Sequence, residues 1–256
     1  MALLEVCCGC LESVDAAVAG GARRIELCTD LDLDGLTPPI DWIREVKARY
    51  PSLTVHVLIR PRAGDFVYTE GGEKDVMARQ VEDALEAGAD GIVIGGLTAE
   101  GDVDIPLMER LLRVVDEWNL ARELAGSDLC HAANDSHFFP GPQRRVSTTF
   151  HRAFDVCRRP FEALEQLIDL GFDRILTSGQ GPTVVEGADM LRELHRRARG
   201  RIGILPGGGV TPQNAARILT LTGCTEIHAS ASETNDGKRV TSAAKVTLIR
   251  KAVENL

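Results

Sequence analysis

One local pattern recurs along the chain. A helical stretch ends in a small residue and glycine, and a short apolar run follows. It appears at Ala19–Leu27, Ala87–Ile94, Leu170–Leu176 and Thr222–His228. Glycine suits the left-handed residue just past a helix C-terminus, and each apolar run has strand length. Helix, glycine, strand, repeated, is the pattern of βα units around a parallel sheet. Eight strand candidates follow: Leu3–Cys7, Arg24–Cys28, Thr54–Arg60, Gly91–Gly95, Thr148–His151, Arg174–Ser178, Arg201–Leu205 and Glu226–Ser230. Helical stretches separate them, including Ile40–Arg49, Ile105–Glu117, Thr211–Thr222 and Ser242–Val253. Eight alternating units in 256 residues predict an α/β fold of one domain, a single (β/α)8 TIM barrel.

No linker divides residues 1–256, but one connection is too long. Residues 120–146 read as an inserted loop, with Asn134-Asp135-Ser136-His137 and Pro140-Gly141-Pro142. It enters a strand from its N-terminal side, the barrel face associated with stability, so a surface insertion is the plain reading. Cys130, His131 and His137 in it are metal-capable. The net charge of −9 and the lack of a Lys/Arg-rich stripe argue against nucleic acid and anionic membranes as partners. Two tryptophans, two tyrosines and seven phenylalanines are too few for a base-stacking surface. No apolar run reaches membrane-spanning length. Seven thinly spread cysteines, with no secretory leader, predict reduced thiols and a cytoplasmic protein.

The outward side of each strand of such a barrel packs on helices and must be apolar, so polar strand residues point inward or sit at strand ends. Parity puts Glu5 with Cys7, Glu26 with Cys28, and His56 with Leu58, Arg60 and Arg62. It also puts Thr149 with His151, and Glu226 with His228 and Ser230. The predicted lumen is unusually polar, where barrels are ordinarily layered with Val, Ile and Leu. Glu5 and Glu26 need partners there, and Arg60, Arg62 or Arg152 would serve. Such pairs could simply fill the barrel, or they could build a site.

A strand then runs into Gly207-Gly208-Gly209, with Thr211 placed to cap a helix starting at Pro212. Glycines and a helix start suit an anion, and Ser230 follows the neighbouring strand. A plain tight turn is the competing reading. The lysines lie outside strand ends, which disfavours Schiff-base chemistry. Glu5-Val6-Cys7 replaces the His-x-His that a zinc hydrolase would want on its first strand. Gly-x-Ser-x-Gly is absent, so Ser178 reads as a hydrogen-bond donor. No Gly-x-Gly-x-x-Gly follows the first strand, and no nucleotide cofactor is expected. Cys7 and Cys28 end neighbouring strands and could share a soft ion, or be two buried thiols. Parity turns Cys8 away from them.

Several strings resemble the CutC family. They are Glu5-Val6-Cys7, Gly21–Cys28, Gly35–Pro38, Ile59–Phe66 with Tyr68, Thr149–Asp155, Arg174–Gly179, Pro206–Val210 and Glu226–Ser230. The resemblance covers nearly the whole chain, in family order. It implies a TIM barrel, a cytoplasmic role in copper homeostasis, Cu(I) bound at Cys7 and Cys28, and a homodimer. Residues 120–146 and Leu31–Gly35 depart from the family pattern.

Two main functional expectations follow. The first is a CutC-like copper homeostasis protein that binds Cu(I) through Cys7 and Cys28. The alternative is an enzyme doing acid/base chemistry on a small anionic or phosphorylated metabolite. There His151 is the acid or base, Glu26 or Glu5 its counterpart, and Arg60 and Arg62 a clamp. Arg152, Ser178, Gly207, Gly208, Gly209, His228 and Ser230 hold the anion. A scaffold with a fully paired lumen is the third.

Overall fold

The apolar runs become strands. In the computed structural model, which describes residues 2–69, 72–132, 145–235, 237–254 and 256, eight parallel strands lie in sequence order around the molecule. They are β1 (Leu3–Cys8), β2 (Arg24–Leu27), β3 (Thr54–Leu58), β4 (Gly91–Ile94), β5 (Ser147–Phe150), β6 (Arg174–Thr177), β7 (Gly203–Pro206) and β8 (Glu226–Ala229). β8 pairs with β1, and a single parallel bridge between Gly207 and His228 links β7 to β8. The ring is a nearly closed barrel, and the fold is a (β/α)8 TIM barrel.

Among the described residues eight α-helices surround it: α1 (Leu11–Ala19), α2 (Ile40–Arg49), α3 (Glu73–Glu86), α4 (Ile105–Ala132), α5 (Pro160–Asp169), α6 (Ala188–Ala198), α7 (Ala215–Thr222) and α8 (Ala243–Glu254). α5 opens on proline, whose missing N–H costs nothing at a helix start. The glycines of the recurring pattern, Gly21, Gly88, Gly171 and Gly223, all have positive φ, so each ends a helix as its sequence position requires.

Alternation sorts the strand residues into two layers. Leu4, Val6, Ile25, Val55, Val57, Ile92, Ile94, Ile175 and Ile227 belong to one apolar core with the inner helix faces. Cys7, Cys28, Leu58 and Val93 form a separate small cluster inside the ring. Burying the outer layer, at about 25 cal/mol per Å² of apolar surface, is the main force closing the barrel.

Two expectations change, and one element is added. The stretch read as loop from Leu120 begins as helix, because Leu120–Ala125 are strong helix formers that extend α4 to Ala132. The side chains of Cys130 and His131, and His137 altogether, lie outside the described residues. Thr211 does not cap a helix at Pro212. Residues 212–214 form a turn, the Asn214 side chain accepts from the Thr211 N–H, and α7 starts at Ala215. A short antiparallel hairpin, β9 (Ser232–Asn235) with β10 (Lys238–Thr241), follows β8.

Candidate functional site

The lower half of the barrel is an ionic network. Register places Glu5 beside Arg24 on one side and beside His228 on the other. The fully buried Glu5 carboxylate meets Arg24 Nε at 2.7 Å, His56 Nδ1 at 3.0 Å and His228 Nδ1 at 2.8 Å. Arg24 also reaches Glu226 at 2.5 Å, and Arg174 reaches that same carboxylate at 3.3 Å. Burial alone would raise the Glu5 pKa, but Arg24, His228 and His56 hold it well below the usual carboxylate range. Burial lowers the His56 pKa despite Glu5, so His56 stays neutral at pH 7.

Room for these rings comes from two glycines, Gly91 in β4 and Gly95 just after it. A Cβ at Gly91 would stand 2.3 Å from the His56 ring, and one at Gly95 would stand 2.5 Å from the His151 ring. No side chain can occupy either place without displacing an imidazole.

Above the network, at the C-terminal strand ends, lie the thiols. Cys7 Sγ and Cys28 Sγ are 3.7 Å apart and both residues are buried. Ligand atoms of Cys7, Glu26 and His228 lie within 4.8 Å of one another. His228 thus joins the two levels, with Nδ1 on Glu5 and Nε2 at 3.5 Å from Glu26. Burial opposes a charged His228, yet Glu26, Cys7 and Glu5 outweigh it and raise its pKa well above normal. Burial raises the Glu26 pKa despite His228. The hydrogen bond to Cys28, followed by burial, holds the Cys7 thiol well above its ordinary value. The donor set fits a soft metal: two sulfurs in contact, with an imidazole and a carboxylate beside them.

In front of the thiols opens a cavity of about 250 Å³, lined by Cys7, Glu26, Asp34, Leu58, Arg60, Phe66, His151, Arg152, Asp155, Val156, Leu176 and His228. Arg60 is buried, with its Nη atoms donating to the backbone carbonyls of Leu33, Gly35 and Gly64. His151 Nδ1 accepts from the Ala153 N–H at 3.1 Å, so its ring proton is assigned to Nε2. Burial, helped by the positive Arg60, pushes its pKa down to about 3. His151 is therefore a neutral hydrogen-bond donor at pH 7, better suited to polarising a ligand oxygen than to cycling a proton.

Six of the residues singled out from the sequence meet at this cavity: Cys7, Glu26, Arg60, His151, Arg152 and His228. Glu5 lies beneath it, and Cys28 packs behind Cys7. Arg62 does not join them. It turns to Glu73 and Asp65, its guanidinium over the Tyr68 ring. The partners foreseen for the buried acids also change, since Arg24 and the histidines hold Glu5 while Arg152 pairs with Asp155. The parity rule covers Arg24 as well as Glu26, so this partner was legible in the second strand. Ser178 Oγ donates to the Gly181 carbonyl, and Ser230 sits with Ser232 and Arg239 away from the cavity lining. Gly207 packs on His228 and Leu176, while Gly208 packs on the Arg152 guanidinium and Ser178. Asp155 is a further organiser, accepting from Thr177 Oγ1 and the Ser178 and Gln180 N–H groups.

The profile of the CutC family matches residues 2–132 and 143–233. A Bacteroides fragilis CutC family protein is 42% identical over 231 residues, which cover 90% of this chain and 80% of that protein. A crystal structure of CutC from Streptococcus agalactiae, assigned to copper homeostasis, is 30% identical with a TM-score of 0.75, covering 90% of this chain and 99% of that one. The 3-keto-L-gulonate-6-phosphate decarboxylase of Vibrio cholerae, at 14% identity and a TM-score of 0.61, covers 99% of this chain and 98% of its own; it shares the fold alone.

Proposed function

This chain belongs to the CutC family, and from that premise we propose that it is a cytoplasmic protein that binds Cu(I) through Cys7 and Cys28. The observation that carries the reading is the buried sulfur pair, 3.7 Å apart, with Glu26 and His228 beside Cys7. Thiolates prefer Cu(I) among the available metals, and both cysteines are buried. A free thiol pair this close also fits a reducing compartment. Because the Cys7 thiol is held protonated, metal binding releases protons, and affinity rises with pH. The role is binding without turnover. Anaerobic Cu(I) titration against a chromophoric chelator tests it. Cys7→Ser and Cys28→Ser should each weaken binding by at least about tenfold; unchanged affinity in both removes the proposal.

A second reading draws on Glu26, whose carboxyl is raised by burial and faces the cavity. Such a group suits acid/base chemistry on a small anionic metabolite, with His151 donating to its oxygen. Glu26→Gln would then abolish turnover while leaving ligand binding.

A further inference from the structure

We propose that the cavity at the C-terminal mouth binds a small organic monocarboxylate, held by Arg60 and the Nε2–H of His151. The first ground is charge. Arg60 is 4% exposed, and among the described residues no carboxylate lies within 4.0 Å of its guanidinium. Its partners are three neutral carbonyls, and its Nε has none. The other buried arginine among the described residues, Arg24, meets two acids, Glu5 and Glu226. A buried cation without a counter-charge is costly, and an anion entering the cavity relieves that cost. The acids lining the cavity are otherwise engaged or distant from this role. Asp155 holds Arg152 and the loop after β6, Glu26 lies against His228, and Asp34 is exposed.

The second ground is the imidazole. With Nδ1 accepting from Ala153, the neutral ring directs an N–H from Nε2, and that buried atom has no partner among the described residues. A buried donor left unpaired costs about 1–3 kcal/mol, so it is a place where a ligand acceptor is gained at full value.

The third ground is the wall between them. Phe66 lies 5.0 Å from the His151 ring and 5.1 Å from the Arg60 guanidinium, with Leu58 and Leu176 alongside. One uncompensated cation, one neutral donor and an apolar wall match a monoanion with a carbon body. They match a phosphate dianion poorly. The inference deepens the catalytic reading above by naming its ligand class, and it stands on binding alone.

Metal-free full-length protein tests it. Sodium acetate, pyruvate, glycolate and butyrate, and separately inorganic phosphate, are titrated at constant ionic strength. The readouts are calorimetry and the His151 imidazole nitrogen resonances. At least one carboxylate should shift the His151 signals saturably, and phosphate should not. Arg60→Met should weaken that binding by about tenfold or more. His151→Phe, which keeps the ring and removes the donor, should weaken it similarly and serves where Arg60→Met does not fold. Arg62→Met, directed at Glu73 and Asp65, should leave it unchanged. Failure of all four carboxylates to saturate, saturation by phosphate instead, or equal affinity in His151→Phe overturns the inference. A carboxylate that binds and is recovered unaltered sinks only the catalytic reading.

Discussion

Arg24 and Arg60, buried at opposite ends of the lumen, are both 4% exposed, yet their surroundings differ in kind. Arg24 sits between two carboxylates, and its network closes on itself through His56, His228 and Arg174. Arg60, among the described residues, has backbone carbonyls and the Phe66 ring but no acid, and it borders a cavity. The contrast separates two uses of buried charge. A compensated network fixes barrel geometry, and an uncompensated group at the mouth keeps its field for something that arrives from solvent.

The largest effect should come from breaking the closed end. Arg24→Met leaves Glu5 without its arginine and should cost about 3–5 kcal/mol, read from urea denaturation. A loss below about 1 kcal/mol would show that the network does not hold the barrel. Its pH dependence has a definite sign. The Glu5 pKa in the folded chain lies well below the ordinary 4.5. Its stabilisation is therefore full above the unfolded pKa and is lost as pH falls through the folded one. The stability gap between wild type and Glu5→Gln should thus be wide near pH 7 and shrink in acid. A gap that widens in acid would reverse the assignment.

Gly95→Ala probes the open end sterically. Its Cβ would fall 2.5 Å from the His151 ring, so stability should drop by about 1–3 kcal/mol and the His151 signals should move. Arg60→Met should cost less than Arg24→Met, since it removes an uncompensated charge along with three hydrogen bonds. Burial will still depress the His151 pKa, but losing the positive neighbour should raise it above about 3. An NMR titration that finds it unmoved would detach Arg60 from the cavity. The smallest effect belongs to Cys28→Ala. Stability should change by about 1 kcal/mol or less, while the Cys7 pKa falls yet stays above normal, because the Cys28 hydrogen bond is lost and burial remains. Thiolate absorbance against pH reads it directly.

Much of the fold was legible beforehand because periodicity and glycine placement are local. The eight strands arise within a few residues of their expected ends, and alternation sends Glu5, Glu26, His56 and His228 inward. Composition misled at Leu120, where the polar stretch beyond hides a helix that continues on its own propensity. At Thr211 a good cap and proline were outcompeted by the Asn214 turn.

Sequence by itself determined the barrel and which side chains face its axis, because both follow from spacings of two and of three to four residues. Tertiary structure alone decided who pairs with whom. Glu5 and Arg24 touch because strand register sets them level; the same register sets Cys7 beside Glu26, and Cys28, the next residue on that face, brings its sulfur within 3.7 Å of Cys7 Sγ. Arg60 meets no acid among the described residues because the loops after β2 and β3 offer it carbonyls first. Contacts between residues far apart in the chain depend on stagger and closure of the whole ring, which no local pattern encodes.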